Sequence, residues 1–288
     1  MVMKEEKVDQ YIKKINGELW LVEDDRENLK VSYRVKKIIF AEQSPFQHVM
    51  VLDTYDFGRM LVLDGVVQST EKDGYIYNEM IAHVPLHIHP HPKKVLIIGG
   101  GDCGAAREII KYPTVEELYF CEIDELVVKA SKEHLKGVSA GLDDDRVHYL
   151  FADGIQYMKE HTNEFDVIIV DSSDPVGPAT QLFEFDFYKN VFEALKEDGL
   201  MVCQSESPIF YKETMQNTYE SLNKLFTTVR QYTAVVPTYP GGLWSFTLAS
   251  KKYEAFIQPT YEETTKYFNK AILQASFALP QFMLEDKK

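Results

Sequence analysis

Apolar positions change their spacing twice along the chain. Up to about Glu71, segments such as ELWLVE, LKVSYRVKKIIFAE, FQHVMVLD and RMLVLDGVVQST are rich in β-branched and aromatic residues separated by polar turns, which predicts strands. From Tyr75 the apolar residues of YIYNEMIAHVPLHI recur at intervals of three and four, predicting a helix. After Pro92 strands and helices alternate: KVLIIGG then GAAREIIKY, ELYFCEID then ELVVKASKEHL, VHYLFAD then GIQYMKEH, FDVIIVD then FDFYKNVFEAL. LMVCQS, the helix KETMQNTYESLNKLF and two final strands near TVRQYTAV and WSFTLAS follow. Unbroken apolar runs in these strands imply burial on both faces, hence a doubly wound parallel sheet. The expected organisation is a β-domain over residues 1–71 and an α/β domain over residues 72–288.

The 288 residues, 45% hydrophobic and 26% charged, have ordinary globular composition. No apolar run reaches the roughly 18 residues of a membrane helix. The N-terminal MVMKEEKVDQYIKK has no apolar stretch of the signal-peptide kind. Three well-separated cysteines, Cys103, Cys121 and Cys203, fit a reducing compartment better than a disulfide framework or zinc site. A cytoplasmic location is therefore expected. The net charge of −14 disfavours nucleic acid and anionic membranes as partners and suits a cationic ligand.

The acids that matter cluster at predicted strand ends, where α/β sheets bind ligands. The first α/β strand ends in Gly99-Gly100-Gly101-Asp102-Cys103-Gly104, which satisfies G-x-G-x-x-G, and Glu122 ends the next strand 21 residues after Gly101. This pattern alone serves a dinucleotide or an S-adenosylmethionine-type nucleoside equally. Asp102 argues against the dinucleotide, because a carboxylate inside the turn would repel a pyrophosphate. Asp153-Gly154 follows the third strand, where the acid can accept from an adenine amino group. Asp171 ends the fourth strand and Asp174 follows in DSSDP. Each such Asp is often only a turn former or cap, but five acids around one crevice repel one another unless a cation joins them. The run HVPLHIHPHP (His83, His87, His89, His91) is broken by prolines and has no neighbouring cysteine, so no metal is expected there. Trp244, opening a predicted strand, reads as a core aromatic; Tyr239, in a Pro-Gly turn, does so less well.

In FQH (46–48), LDGVVQSTEKD (63–73), GGGDCGAARE (99–108), DSSDPVGPA (171–179) and PTYPGGLW (237–244) the chain resembles the spermidine synthase family, and the resemblance covers nearly its whole length. The resemblance implies a methyltransferase-like Rossmann domain behind a small N-terminal β-domain, no metal or bound cofactor, and a homodimer or homotetramer formed through the N-terminal domain. It implies transfer of an aminopropyl group from decarboxylated S-adenosylmethionine, as co-substrate, to putrescine, yielding spermidine and methylthioadenosine. Carried over by motif, Gln47, Gly99, Gly101, Asp102, Glu122, Asp153, Gly154 and Pro178 would hold the nucleoside. Gln68, Tyr77, Asn78, Asp102, Asp174 and Tyr239 would hold the diamine, and Asp171 would be the general base. The chain departs from the family pattern at Cys103, at Gly74 after Asp73, and at Asn78 where His or Gln is frequent. Cadaverine or agmatine as acceptor, methyl transfer from S-adenosylmethionine, NAD-dependent hydride transfer and a non-catalytic polyamine sensor are the alternative readings.

The reacting amine must lose a proton. With an ammonium pKa near that of Lys, deprotonation at neutral pH costs about 4 kcal/mol. The economical arrangement anchors the far ammonium with acids and lets the near nitrogen pass its proton to a base. The Ser172–Leu182 loop and PTYPGG are expected to cover the site.

Overall fold

In the computed structural model the described residues are 5–7, 9–175, 177–254 and 264–285, with the side chains of 5–7, 177 and 178 left out. Seven strands open the chain: β1 (Glu5–Lys7), β2 (Ile12–Ile15), β3 (Glu18–Arg26), β4 (Leu29–Gln43), β5 (His48–Thr54), β6 (Arg59–Leu63) and β7 (Val66–Thr70). They form one antiparallel meander in sequence order, in which each strand pairs with its neighbour through a short turn. Ile12, Leu21, Val35, Met50, Leu52, Met60 and Val62 fill its inner face. The opposite side of β5 and β6, at Val49, Val51 and Leu61, packs on the next domain through Val127, Ala130 and Val138.

Helix α1 (Gly74–Leu86) starts where the meander ends. Twelve of its thirteen residues are buried, the mark of a helix packed on all sides. Gly74 is explained here, since an added β-carbon would stand 2.6 Å from Ser69 Oγ. The second sheet contains β8 (Lys94–Gly99), β9 (Glu117–Glu122), β10 (Val147–Phe151), β11 (Phe165–Asp171), β12 (Leu195–Gln204), β13 (Thr228–Val235) and β14 (Leu243–Ser250). Their order is β10-β9-β8-β11-β12-β14-β13. The five strands from β10 to β12 are mutually parallel. β14 runs antiparallel to both its neighbours, so the expected parallel sheet is reversed at one strand. Here a short turn joins β13 to β14, and a parallel crossover would need far more chain.

Between these strands lie α2 (Gly104–Ile109), α3 (Glu125–His134), α4 (Lys136–Ser139), α5 (Gly154–Lys159), a 3-10 helix (Gly177–Phe183), α6 (Phe185–Ala194) and α7 (Lys212–Asn223). The C-terminal α8 (Lys270–Ser276) and α9 (Gln281–Leu284), like α4, have no counterpart among the sequence expectations. At four to seven residues they are too short for an apolar period to declare itself. Asn269 caps α8 by accepting from the Ala271 and Ile272 amides. The buried Glu79 carboxylate on α1 receives three backbone N–H groups, from Lys266, Tyr267 and Phe268 at 2.7–2.8 Å.

Candidate active site

The strand order reverses between β8 and β11, and a cavity of about 670 Å³ opens there against the N-terminal meander, at the switch point where such sheets bind ligands. Gly99 and Gly100 make the turn after β8 with φ of 82° and 74°, the region that glycine alone enters freely. They also lie against Asp171: an added β-carbon at Gly99 would stand 2.2 Å from the Asp171 carbonyl oxygen, and one at Gly100 2.8 Å from Oδ2. Cys103 takes φ 67° without being glycine and heads α2 with its side chain fully buried.

Two acid clusters share this cavity. In the first, Asp171 at the end of β11 receives the Tyr77 hydroxyl at 2.6 Å. Burial, and then the charge of Asp102, lift its carboxyl to about 7, while the Tyr77 hydrogen bond pulls the other way. Asp102 is fixed through both oxygens, by the Gly104 amide at 2.8 Å and Asn78 Nδ2 at 3.1 Å. Glu122, ending β9, is raised to about 7 by burial and accepts from the Asp124 amide at 2.9 Å. Asp124 was not singled out from sequence. It caps α3 through Leu126 and also receives Ser44 Oγ at 2.7 Å and Gln47 Nε2 at 2.9 Å. It thereby pins the FQH turn of the first domain to the second.

Of the second cluster only Asp174 was a sequence candidate; Glu23 and Glu206 were not. Glu23, on β3, is raised to about 8, chiefly by burial, with Asp25 and Asp174 adding to it. Glu206 is raised to about 8 by burial and by Asp174. Asp174 is itself raised, by burial and then by Asp25. Glu206 lies next to it but is not part of the cavity lining, and its Oε1 accepts from Gln204 Nε2 at 3.0 Å. Glu206 sits at φ 68° with its side chain wholly buried, a strained placement of the kind that collects at functional sites. The available signal was an acid directly after the apolar end of β12, in CQSES.

Tyr239 stands between the clusters, since Asp171, Asp102 and Asp174 all act to hold its phenol protonated, after burial itself. Its hydroxyl donates to the Gln68 carbonyl at 2.8 Å and its ring lies 4.6 Å from Trp244. Trp244 opens β14 as expected, yet it lines the cavity as well as the core. The PTYPGG segment is tied down more firmly than a cover would be. Thr238 donates to Asp73 through its amide at 2.8 Å and through its hydroxyl, and its carbonyl accepts from Tyr33.

Of the sequence candidates, Gln47, Gln68, Tyr77, Gly99, Gly101, Asp102, Glu122, Asp153, Gly154, Asp171, Asp174 and Tyr239 meet at this cavity. Asp153 doubles as the α5 cap, accepting from the Ile155 amide at 2.8 Å. Asn78 does not reach the cavity: only 1% exposed, it stands behind Asp102. The reason is its short side chain and the tight seat of α1 on α2, where a β-carbon at Gly104 would fall 1.9 Å from Asn78 Nδ2. The side chain of Pro178 lies outside the described residues. Two of the four histidines are engaged elsewhere: His83 bonds Tyr112 at 2.6 Å and Glu108 at 3.0 Å, and His87 Nδ1 meets the His83 carbonyl at 2.9 Å.

This strand order, with a glycine turn after the first strand and acids at the ends of the next strands, defines the methyltransferase-like Rossmann class. Comparison with known proteins narrows it. Residues 74–259 match the family model of the spermine/spermidine synthase domain, and residues 19–71 that of the spermidine synthase tetramerisation domain. A polyamine aminopropyltransferase of Thermoanaerobacter sp. (strain X514) is 50% identical over 269 residues, covering 92% of this chain and 97% of that one. Another from Desulforudis audaxviator is 47% identical over 270 residues, covering 93% and 98%. A spermidine synthase solved in complex with the transition-state analogue AdoDATO superposes with TM-score 0.88 at 36% identity, covering 99% of this chain and 97% of that one. The spermidine synthase of Thermotoga maritima gives 0.86 at 39%, covering 93% of each. The chain belongs to the spermidine synthase family of polyamine aminopropyltransferases, and it is an enzyme.

Proposed function

We propose that this enzyme transfers the aminopropyl group of decarboxylated S-adenosylmethionine to putrescine, releasing spermidine and methylthioadenosine. The observation that carries the reading is the first acid cluster: a buried carboxyl, Asp171, near neutrality in its proton affinity, hydrogen-bonded to Tyr77 and facing the charge of Asp102. A base whose pKa lies near the working pH is the one best able to take the amine proton. A bound sulfonium lowers that pKa and leaves Asp171 ionised for the task. Asp102, locked in place by Gly104 and Asn78, faces the cationic three-carbon arm. Gln47, Glu122, Asp153 and the glycine turn take the nucleoside. The donor's sulfur is the leaving group, the amine nitrogen forms the new C–N bond, and the displaced proton passes to Asp171.

The second cluster supports the acceptor assignment. Glu23 and Asp174 offer carboxylates for the far ammonium, with Glu206 buried beside Asp174, and Tyr77, Tyr239 and Trp244 offer apolar walls for a short methylene chain. No cofactor enters this chemistry; both substrates are consumed. Oligomerisation through the N-terminal domain, as a dimer or tetramer, belongs to the same reading, as does a cytoplasmic location; the described residues contain no helix long and apolar enough to cross a membrane. The test is incubation with decarboxylated or ordinary S-adenosylmethionine and a panel of amines, followed by mass spectrometry. Spermidine with methylthioadenosine, formed only from the decarboxylated donor, is the expected result. A methylated product from the ordinary donor would reassign the enzyme to methyl transfer.

A further inference from the structure

Arg26 is a cation inside a cavity otherwise furnished with acids. It ends β3 at the hairpin into β4, where the pairing register slips between Asp24 and Arg26; such bulges re-aim side chains. Its Nε donates to Asp25 Oδ2 at 2.6 Å. The guanidinium carbon lies 4.2 Å from the Phe210 ring centroid and 4.8 Å from that of Tyr211. Arg26, Asp25, Phe210 and Tyr211 all line the cavity that Glu23 and Asp174 also line. The guanidinium is thus seated by one carboxylate and two ring faces, with Nη2 buried and without a hydrogen-bond partner. One carboxylate and two aromatic faces are also what a substrate ammonium needs.

We propose that Arg26 is a specificity-determining residue that limits the acceptor to amines with a single distal ammonium, by occupying the place where a triamine would put its next charge. A diamine brings one far ammonium to Glu23 and Asp174 and stops short of the guanidinium. Spermidine would carry a second cation onto it, at the cost of like-charge repulsion or of displacing Arg26 from its seat. This rests on the aminopropyl-transfer reading of the site and adds to it the rule by which acceptor length is read.

The experiment compares kcat/KM for putrescine and spermidine in the wild type, Arg26→Ala, Arg26→Gln and Arg26→Lys. The putrescine-to-spermidine preference is expected to fall by at least about tenfold in the Ala and Gln variants, through a lower KM for spermidine, and to stay within about threefold of wild type in the Lys variant. An unchanged preference in Arg26→Gln, or a Lys variant that behaves like Ala, overturns the proposal. The Gln variant serves where Arg26→Ala loses its circular-dichroism signature. Absence of transfer to every amine by the wild type would sink the reading of the reaction instead. Calorimetric spermidine binding, expected to be at least about tenfold tighter in Arg26→Gln than in wild type, still tests Arg26 in that case.

Discussion

The Tyr77 hydroxyl meets Asp171 Oδ1 at 2.6 Å, joining the first turn of α1 to the end of β11 across 94 residues of sequence. The phenol's own pKa is pushed up by burial and then by Asp171, so it remains a donor. Tyr77→Phe removes a bond that favours the ionised carboxyl, so the pKa of Asp171 should rise further above about 7. The rising limb of kcat/KM against pH is expected to move to higher pH, and a limb at its original position would remove Tyr77 from this role.

Asp171→Asn deletes the proposed proton acceptor while keeping its shape. A loss in kcat of roughly two to four powers of ten is expected, the usual share of acid–base catalysis. The affinity for methylthioadenosine should change little, because the nucleoside contacts lie elsewhere. Near-normal turnover would show that the proton leaves by another route.

Asp102→Asn acts on two observables with opposite consequences. It removes the charge that, after burial, most raises the Asp171 pKa, so the rising limb should shift to lower pH. It also removes the proposed anchor for the cationic arm, so KM for decarboxylated S-adenosylmethionine and for the amine should rise. A shift of the limb to higher pH, or unchanged KM values, contradicts this assignment.

Stability should depend on pH in the ligand-free enzyme. Burial raises Asp171 and Glu122 to about 7 and Glu23 and Glu206 to about 8, from ordinary values of 3.8 and 4.5. The folded chain therefore keeps protons that the unfolded chain has already released. That stabilisation is full below the unfolded values and is lost as pH rises through the folded ones. In the opposite sense Glu108, held at about 2 against burial by His83 and Lys111, contributes above its unfolded value and is lost as pH falls towards 2. Thermal scans should show Tm falling between about pH 5 and pH 8.5, with the slope reduced by saturating cationic ligand. A flat or rising Tm over that window would falsify the raised carboxyl pKa values.

Which parts of this site the sequence announces follows from what each residue does. Asp102, Glu122, Asp153 and Asp171 sit where a β-α alternation places strand ends, so periodicity located them before any coordinates. Glu23 and Arg26 sit on a hairpin of the other domain, and nothing in ELWLVEDDREN says that β3 faces the second sheet. Glu206 depends on a left-handed backbone that no local pattern reports. Asn78 was misplaced for a related reason: helix period gives the face of α1, but the depth of a side chain there depends on Gly104 opposite. The reversed β14 was hidden because its burial, with seven of eight residues inside, looks like that of a parallel strand.

The acceptor remains the finest distinction that the cavity draws. In the proposed reading putrescine would span the two clusters, with one end at Asp171 and the other at Glu23 and Asp174, and Tyr239 between them. Cadaverine adds one methylene, and a single methylene in an apolar channel discriminates by only about 10–200-fold, so measurable cadaverine turnover is expected. Agmatine replaces the far ammonium with a planar guanidinium that needs several acceptors at fixed angles. Here the distal cluster is expected to serve a compact ammonium better, since among the described residues Glu23, Asp25 and Asp174 are its only carboxyls in the cavity lining and Arg26 already engages Asp25. Glu206→Gln should then raise KM for putrescine while leaving kcat within about threefold, because Glu206 acts through its neighbour Asp174 at the distal cluster, away from the proposed proton acceptor. Measuring kcat/KM for putrescine, cadaverine and agmatine in both proteins checks the whole chain of argument. An agmatine preference in the wild type would reassign the acceptor, and a Glu206→Gln loss confined to kcat would place Glu206 in the chemistry instead of at the far end.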